Sequence, residues 1–198
     1  MNSLETLLQR ISLELNKQPQ AWALVGGLAV SVRTEPRFTR DLDLAVAVSN
    51  DSEAESLVHR LHSAGFQTFA TVEHEKTKRL ATARIAPSGS SPQGLVLDVL
   101  FASSGIEAEI CMAAEDLLVF PGLSVPVATN YHLITLKVLS RDDRSRPQDS
   151  ADLRQLIINA APADLELAIT AAKLIEHRGF NRDRNLTALI EQAWHQYR

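Results

Sequence analysis

Apolar residues recur at helical spacing from the start of the chain. Leu4, Leu7, Leu8, Ile11 and Leu15 fall on one face, which predicts a first helix over residues 3–16, ended by Pro19. Trp22 to Val25 is a short apolar strand that runs into Gly26-Gly27, and Leu28 to Val32 begins a second helix. Leu42 to Val48 alternates between polar flanks, the pattern of a strand. Asp51, Ser52 and Glu53 open a helix that continues to about Ser63 and stops at Gly65. Phe66 to Val72 and Leu80 to Ala86 read as strands around a charged turn, His74 to Lys78. Pro87 to Gly94 is a Ser/Gly/Pro loop, and Leu95 to Phe101 is strongly apolar apart from one acid, Asp98.

The pattern changes after Ser103-Ser104-Gly105. Leu123 to Val127 is still extended, but from Thr129 the periodicity is helical, over residues 129–140, 149–160, 162–177 and 184–197. Pro147 and Pro162 stand just ahead of two of these starts, where proline is tolerated. The expected fold class is α/β (α+β): a mixed sheet flanked by helices over residues 1–105, a connecting segment over 106–128, and a helical C-terminal part over 129–198. No internal repeat is visible.

Composition narrows the class of protein. With 198 residues, 45% hydrophobic and 22% charged, the chain can bury an ordinary core, which excludes disorder and collagen-like structure. The formal charge of −4 leaves no overall basic footprint for coating nucleic acid, although a local patch remains open. A single cysteine, Cys111, excludes a disulfide framework and a cysteine zinc site, and suits a reducing compartment. The longest apolar stretch, Ala21 to Val32, is too short to span a bilayer, and the amphipathic N-terminus does not read as an export signal. The expectation is a cytoplasmic protein without a membrane segment.

Chemistry enters at Asp41-Leu42-Asp43-Leu44. Strand side chains alternate faces, so Asp41 and Asp43 share one face while Leu42 and Leu44 share the other. Two carboxylates so placed repel unless a cation sits between them, and hard oxygen ligands of this kind suit Mg²⁺. Asp98, the only charge in Gly94 to Phe101, is the natural third member. An unpaired buried carboxylate costs about 3–5 kcal/mol, so either a metal or a buried arginine must compensate it.

Upstream, Leu24-Val25-Gly26-Gly27-Leu28 brings a strand through two glycines into a helix. This is either a tight turn or a phosphate cradle, in which backbone approaches a ligand at a positive helix end. It is neither a Walker loop nor a dinucleotide fingerprint, because the long Gly-rich spacing and the third glycine are missing.

Gly26-Gly27, Arg33, Thr39-Arg40-Asp41-Leu42-Asp43 and the later Asp98 together resemble the nucleotidyltransferase superfamily that includes DNA polymerase β. Within it the chain is most similar to the bacterial AbiEii-type toxins and their relatives. The likeness covers residues 20–101. It extends more weakly to Lys137 and to the segment from Arg144 to Leu153, where relatives carry Arg-Pro-x-Asp-x-x-Asp-Leu. The resemblance implies Mg²⁺-dependent transfer of NMP from an NTP to a hydroxyl, with release of pyrophosphate. Asp41, Asp43 and Asp98 would hold two Mg²⁺ ions (Mn²⁺ as a substitute), and Asp98 would help deprotonate the acceptor. Gly26 and Gly27 would approach the β/γ-phosphates. Arg33 and Arg40 would contact phosphate or, alternatively, pair with an acid of the site. The partners implied are an NTP, an RNA 3′ end as acceptor, and an antitoxin protein. A protein side chain or an antibiotic-type small molecule is the alternative acceptor.

Lys137 lies among Leu133, Ile134, Leu136 and Val138, so it either snorkels to solvent or reaches into a cleft. The resemblance assigns it to the triphosphate. Arg141, Arg144, Arg146 and Arg154 form a local basic patch, read either as an acceptor surface or as a loop neutralised by Asp142, Asp143, Asp149 and Asp152. In the first reading Asp149 or Asp152 would orient Lys137. His59 and His62 lack a third ligand at suitable spacing, and Trp22, Trp194 and Tyr197 read as packing residues. Two non-catalytic alternatives stay open. One is a nucleotide-binding module with this fold; the other is an interaction protein whose acids pair with Arg33, Arg40 or Arg84.

Overall fold

The structure is a computed structural model that describes residues 3–91, 93–141 and 147–198. Helix α1 (Ser3–Leu15) buries Leu8, Ile11 and Leu15 completely, the stripe that its periodicity predicts. Strand β1 (Trp22–Val25) passes directly into α2 (Gly26–Arg33), so this helix begins at the glycine pair itself. β2 (Asp41–Val46) follows, then α3 (Asp51–Ser63). Asn50 caps α3 by accepting from the Glu53 N–H at 3.0 Å, and the Glu53 carboxylate accepts in return from the Ser49 N–H at 2.9 Å. Gly65, at φ +83°, releases the chain into β3 (Phe66–Glu73), which is followed by β4 (Leu80–Pro87) and β5 (Val96–Leu100).

Residues 106–128 carry more regular structure than their pattern suggests. They form α4 (Glu107–Ala113), β6 (Glu115–Phe120) and β7 (Leu123–Val127). Only β7 is predicted by its sequence pattern. Ala113-Ala114-Glu115 turns from helix to strand with no Gly or Pro to mark the change. β6 and β7 form an antiparallel hairpin, and β7 lies parallel to β1, so this segment adds two strands to the main sheet.

The sheet has seven strands in the order β3-β4-β5-β2-β1-β7-β6. β2 is antiparallel to β1 and parallel to β5, which makes the sheet mixed and puts β2 near its centre. Leu42 and Leu44 are fully buried on one face. The helical part follows as α5 (Asn130–Ser140), α6 (Pro147–Ile158), α7 (Pro162–His177) and α8 (Leu186–Tyr197). α5 packs against α6, α7 and α8, and α2 packs against α5 and α6 as well as the strands. The helix that starts at Gly26-Gly27 therefore bridges sheet and helical part. Among the described residues no helix is long and apolar enough to cross a membrane.

Candidate active site

One row of residues runs across four strands. Arg84 on β4 is registered opposite Asp98 on β5, Asp98 opposite Asp43 on β2, and Asp43 opposite Val25 on β1. Val25 is followed by Gly26, where α2 begins. The pairing thus sets two carboxylates, a guanidinium and the glycine turn side by side at one level of the sheet. Asp41, two residues before Asp43, is exposed.

Gly26 has φ +67°, a region that side-chain-bearing residues rarely adopt. A Cβ added there would overlap the carboxylate of Asp43. The Gly27 N–H donates to the same carboxylate. A Cβ at Gly27 would come 2.7 Å from Nη2 of Arg37 and 3.0 Å from Oγ1 of Thr39. Both glycines are there because side chains close around the turn.

Electrostatics single out Asp43. Its pKa is pushed up to about 6, first by burial and then by the neighbouring charge of Asp98; Lys137 pulls the other way. Asp98 is compensated differently. Arg84 donates from Nε to Oδ1 at 2.8 Å and from Nη2 to Oδ2 at 2.6 Å, a two-pronged pair. Arg84 is held above its usual pKa, chiefly by this hydrogen bond and the charge of Asp98.

Across from the strand row lies a second charged cluster. Lys137 on α5 reaches Asp149 and Asp152 on α6, each at 2.7 Å, with only 12% of its side chain exposed. Its charge is therefore buried and paired instead of snorkelling to solvent. Asp152, 2% exposed, also takes a fork from Arg37, at 2.6 Å from Nε and 2.7 Å from Nη2. These partners keep the Asp152 carboxyl below its ordinary range despite the opposing cost of burial. Asp149 Oδ2 is buried and has no hydrogen-bond partner among the described residues. Arg37 escaped the sequence reading; its one signal is a third arginine beside Thr39-Arg40-Asp41, in a loop with no periodicity.

Both clusters face one cleft of about 490 Å³, lined among others by Gly26, Gly27, Asp43, Asp98, Arg84, Lys137 and Asp149. Arg182, from the turn between α7 and α8, also lines it. So does Glu107, an acid that the sequence does not single out. One of its oxygens accepts from the N–H groups of Ser103 and Ser104 and from the Ser104 hydroxyl, at 2.7–2.9 Å. Burial pushes the Glu107 pKa up.

Other expected residues lie elsewhere. Arg33 points to β7, donating to the carbonyls of Ala128 at 2.6 Å and Val127 at 3.2 Å, and pairs with Glu115 at 2.9 Å. Arg40 is exposed and lies over the ring of Phe38, 5.8 Å from its centroid. Arg144 and Arg146 lie outside the described residues. His62 bonds Thr68, and Cys111 is buried against the Ala45 carbonyl, its thiol pushed up to about 12 by burial. Trp22 is 5% exposed and donates to Asn16.

The carboxylates suit a divalent cation in kind. Asp43 is a crowded acid with raised pKa beside a second acid, and a cation would relieve both burial and repulsion. In arrangement they are not yet gathered. Among the described residues no group of three His, Cys, Asp or Glu is placed to hold a metal ion. Both oxygens of Asp98 are turned to Arg84 instead.

A mixed sheet with a Gly-Gly helix start beside paired acids, closed by helices, is the fold of nucleotidyltransferases. The model of the AbiEii family, described as the nucleotidyl transferase AbiEii toxin of a type IV TA system, matches residues 6–198, and the chain belongs to that family. Solved structures agree on the fold. A nucleotidyltransferase-like antigenic protein from Paracoccidioides brasiliensis aligns at TM-score 0.56 and 19% identity, over 96% of this chain and 93% of that one. ANT(2")-Ia in complex with adenylyl-2"-tobramycin aligns at TM-score 0.61 and 14% identity, over 90% of this chain and all of that one. No curated protein sequence matches the chain.

Proposed function

We propose that this nucleotidyltransferase moves NMP from an NTP to a hydroxyl of an RNA 3′ end and releases pyrophosphate. The observation that supports the reading is the row Asp98–Asp43–Val25-Gly26, facing Lys137 across one cleft. Asp41, Asp43 and Asp98 would hold Mg²⁺. The two ions, when bound, would supply charge neutralisation of the triphosphate and acidification of the acceptor hydroxyl.

The remaining work falls to the chain's own groups. The backbone at Gly26 and Gly27 takes the β/γ-phosphates at the start of α2, where the helix dipole favours anions, with the Gly27 N–H, which otherwise donates to Asp43, passing to phosphate. Lys137 adds a fixed positive charge on the opposite wall, with Asp149 and Asp152 holding its ammonium in place. Asp98 takes the proton of the acceptor hydroxyl as its oxygen bonds the α-phosphorus. The bond from that phosphorus to the bridging oxygen then breaks, and the electron pair leaves with pyrophosphate. As a member of a type IV toxin–antitoxin family, the chain would have an antitoxin as its protein partner.

The test incubates the purified protein with each α-radiolabelled NTP, Mg²⁺ and total bacterial RNA, beside Asp43→Ala. Labelled RNA that disappears with the variant is the expected result. Label that appears instead on protein, or on an added aminoglycoside, would replace the RNA acceptor while keeping the chemistry. No transfer to any acceptor, with no thermal stabilisation by Mg-NTP, would sink the catalytic reading.

A further inference from the structure

Two arginine–carboxylate forks flank the cleft, and they differ in one respect. Arg37–Asp152 is enclosed, with side-chain exposures of 24% and 2%, and Asp152 is shared with Lys137. Arg84–Asp98 is open: the Arg84 side chain is 48% exposed, and among the described residues Asp98 alone accepts from its guanidinium. The first fork is a fixed brace, because neither partner can leave without stranding a buried charge. In the second, the guanidinium has solvent to move into, but Asp98, 15% exposed, needs another cation in its place when it leaves.

The open fork also occupies the carboxylate on which the site depends. Asp98 stands beside Asp43 in the β2–β5 register, yet both of its oxygens are taken by Arg84, and among the described residues no three acids converge on one point. Antiparallel pairing of β4 with β5 sets the guanidinium directly across from the carboxylate, so the contact is built into the register of the sheet.

We propose that Arg84 is an exchangeable counter-ion of Asp98, which keeps this carboxylate out of the metal-ligating set until a divalent cation displaces the guanidinium. This inference rests on the reading of Asp43 and Asp98 as metal ligands. In the metal-free protein Arg84 neutralises the acids and keeps the strand row in register. When a cation arrives, it competes with a bidentate hydrogen-bonded partner, so the apparent metal affinity is lowered by the fraction of molecules in which Asp98 is free of Arg84. Arg84 is a positioning residue here, acting through Asp98.

The test measures Mn²⁺ binding to the full chain by paramagnetic resonance without nucleotide, for wild type, Arg84→Lys and Arg84→Gln. Lysine keeps the charge but cannot form the fork. The expected result is about fivefold or more tighter Mn²⁺ binding by both variants, with a lower metal-free melting temperature. In wild type, the Arg84 Nε–H resonance should lose its carboxylate-bonded shift on saturation with Mg²⁺. Unchanged or weaker binding in both variants would overturn the proposal, as would tightening in Arg84→Gln alone, which reports only net charge. If Arg84→Gln does not fold, Arg84→Lys and the resonance decide. Binding by wild type that the variants leave unchanged would sink this inference only. Absence of Mn²⁺ binding in all three proteins would remove the metal reading along with it.

Discussion

Gly26 and Asp43 are in such close contact that the absence of a side chain on one is a condition for the carboxylate of the other. The backbone at Gly26 is left-handed, and a Cβ there would overlap the Asp43 carboxylate. Gly26→Ala should therefore lower stability by about 1–2 kcal/mol from backbone strain alone. It should also displace Asp43, and a shift on the order of 1 Å in a catalytic group costs about a hundredfold in rate. Urea denaturation and a nucleotidyl-transfer assay on the same preparation would check both. A stable, fully active Gly26→Ala would show that the turn does not position Asp43.

Arg37, Asp152 and Lys137 form a brace between the loop before β2, α6 and α5. Asp152→Ala removes the shared anion and leaves two largely enclosed cations facing each other. The expected loss is about 3–5 kcal/mol, read as a shift of the urea midpoint. Arg37→Lys should also be costly, because one ammonium cannot make both hydrogen bonds of the fork. If Asp152→Ala unfolds at the wild-type midpoint, the brace carries no net stability.

Arg33 offers the opposite contrast. Its guanidinium is committed to the carbonyls of Val127, the last residue of β7, and of Ala128 just after it, and to Glu115, so it joins α2 to the strand beyond β1. Arg33→Met should cost about 1.5–3 kcal/mol, the range for hydrogen bonds to a charged group. The KM for NTP should stay within about twofold, which steady-state kinetics would check. A large rise in KM with unchanged stability would mean that Arg33 leaves β7 to bind nucleotide.

The contrast between these arginines shows what the sequence makes legible. Spacing alone predicts α1, the Val25-Gly26 transition, the common face of Asp41 and Asp43, and the four C-terminal helices, because each depends on a local period or breaker. Asp98 announces itself as a lone charge in an apolar strand. Its partner Arg84 is one of three arginines that the sequence offers as partners of the acids, and only the pairing of β4 with β5 singles it out over Arg33 and Arg40. Arg37 meets Asp152 across 115 residues, a relation no local pattern carries. α4 and β6 stayed hidden for a different reason: the helix passes into the strand without a glycine or proline between them.

A buried histidine and a half-buried aspartate titrate in overlapping windows with opposite effects on stability. His132, 3% exposed, has its pKa lowered from 6.5 to about 4 by burial, with Glu109 opposing. The unfolded chain therefore binds more protons there between about pH 4 and 6.5. Stability from this group is complete above pH 6.5 and is lost as pH falls towards 4. Asp43 is the reverse. With a folded pKa of about 6 against 3.8, the folded chain binds more protons between those values, so stability falls as pH rises through the window. At about 1.4 kcal/mol per unit, each contribution integrates to about 3 kcal/mol. His132→Phe should gain about that much relative to wild type on going from pH 7 to pH 4. Asp43→Asn should gain a similar amount in the other direction and be more stable than the metal-free wild type at pH 7, while losing transfer activity. Urea denaturation of the three proteins in chelator at pH 4, 5.5 and 7 would check this. Parallel curves for Asp43→Asn and wild type would mean that Asp43 ionises without strain, removing the electrostatic argument for a cation beside it.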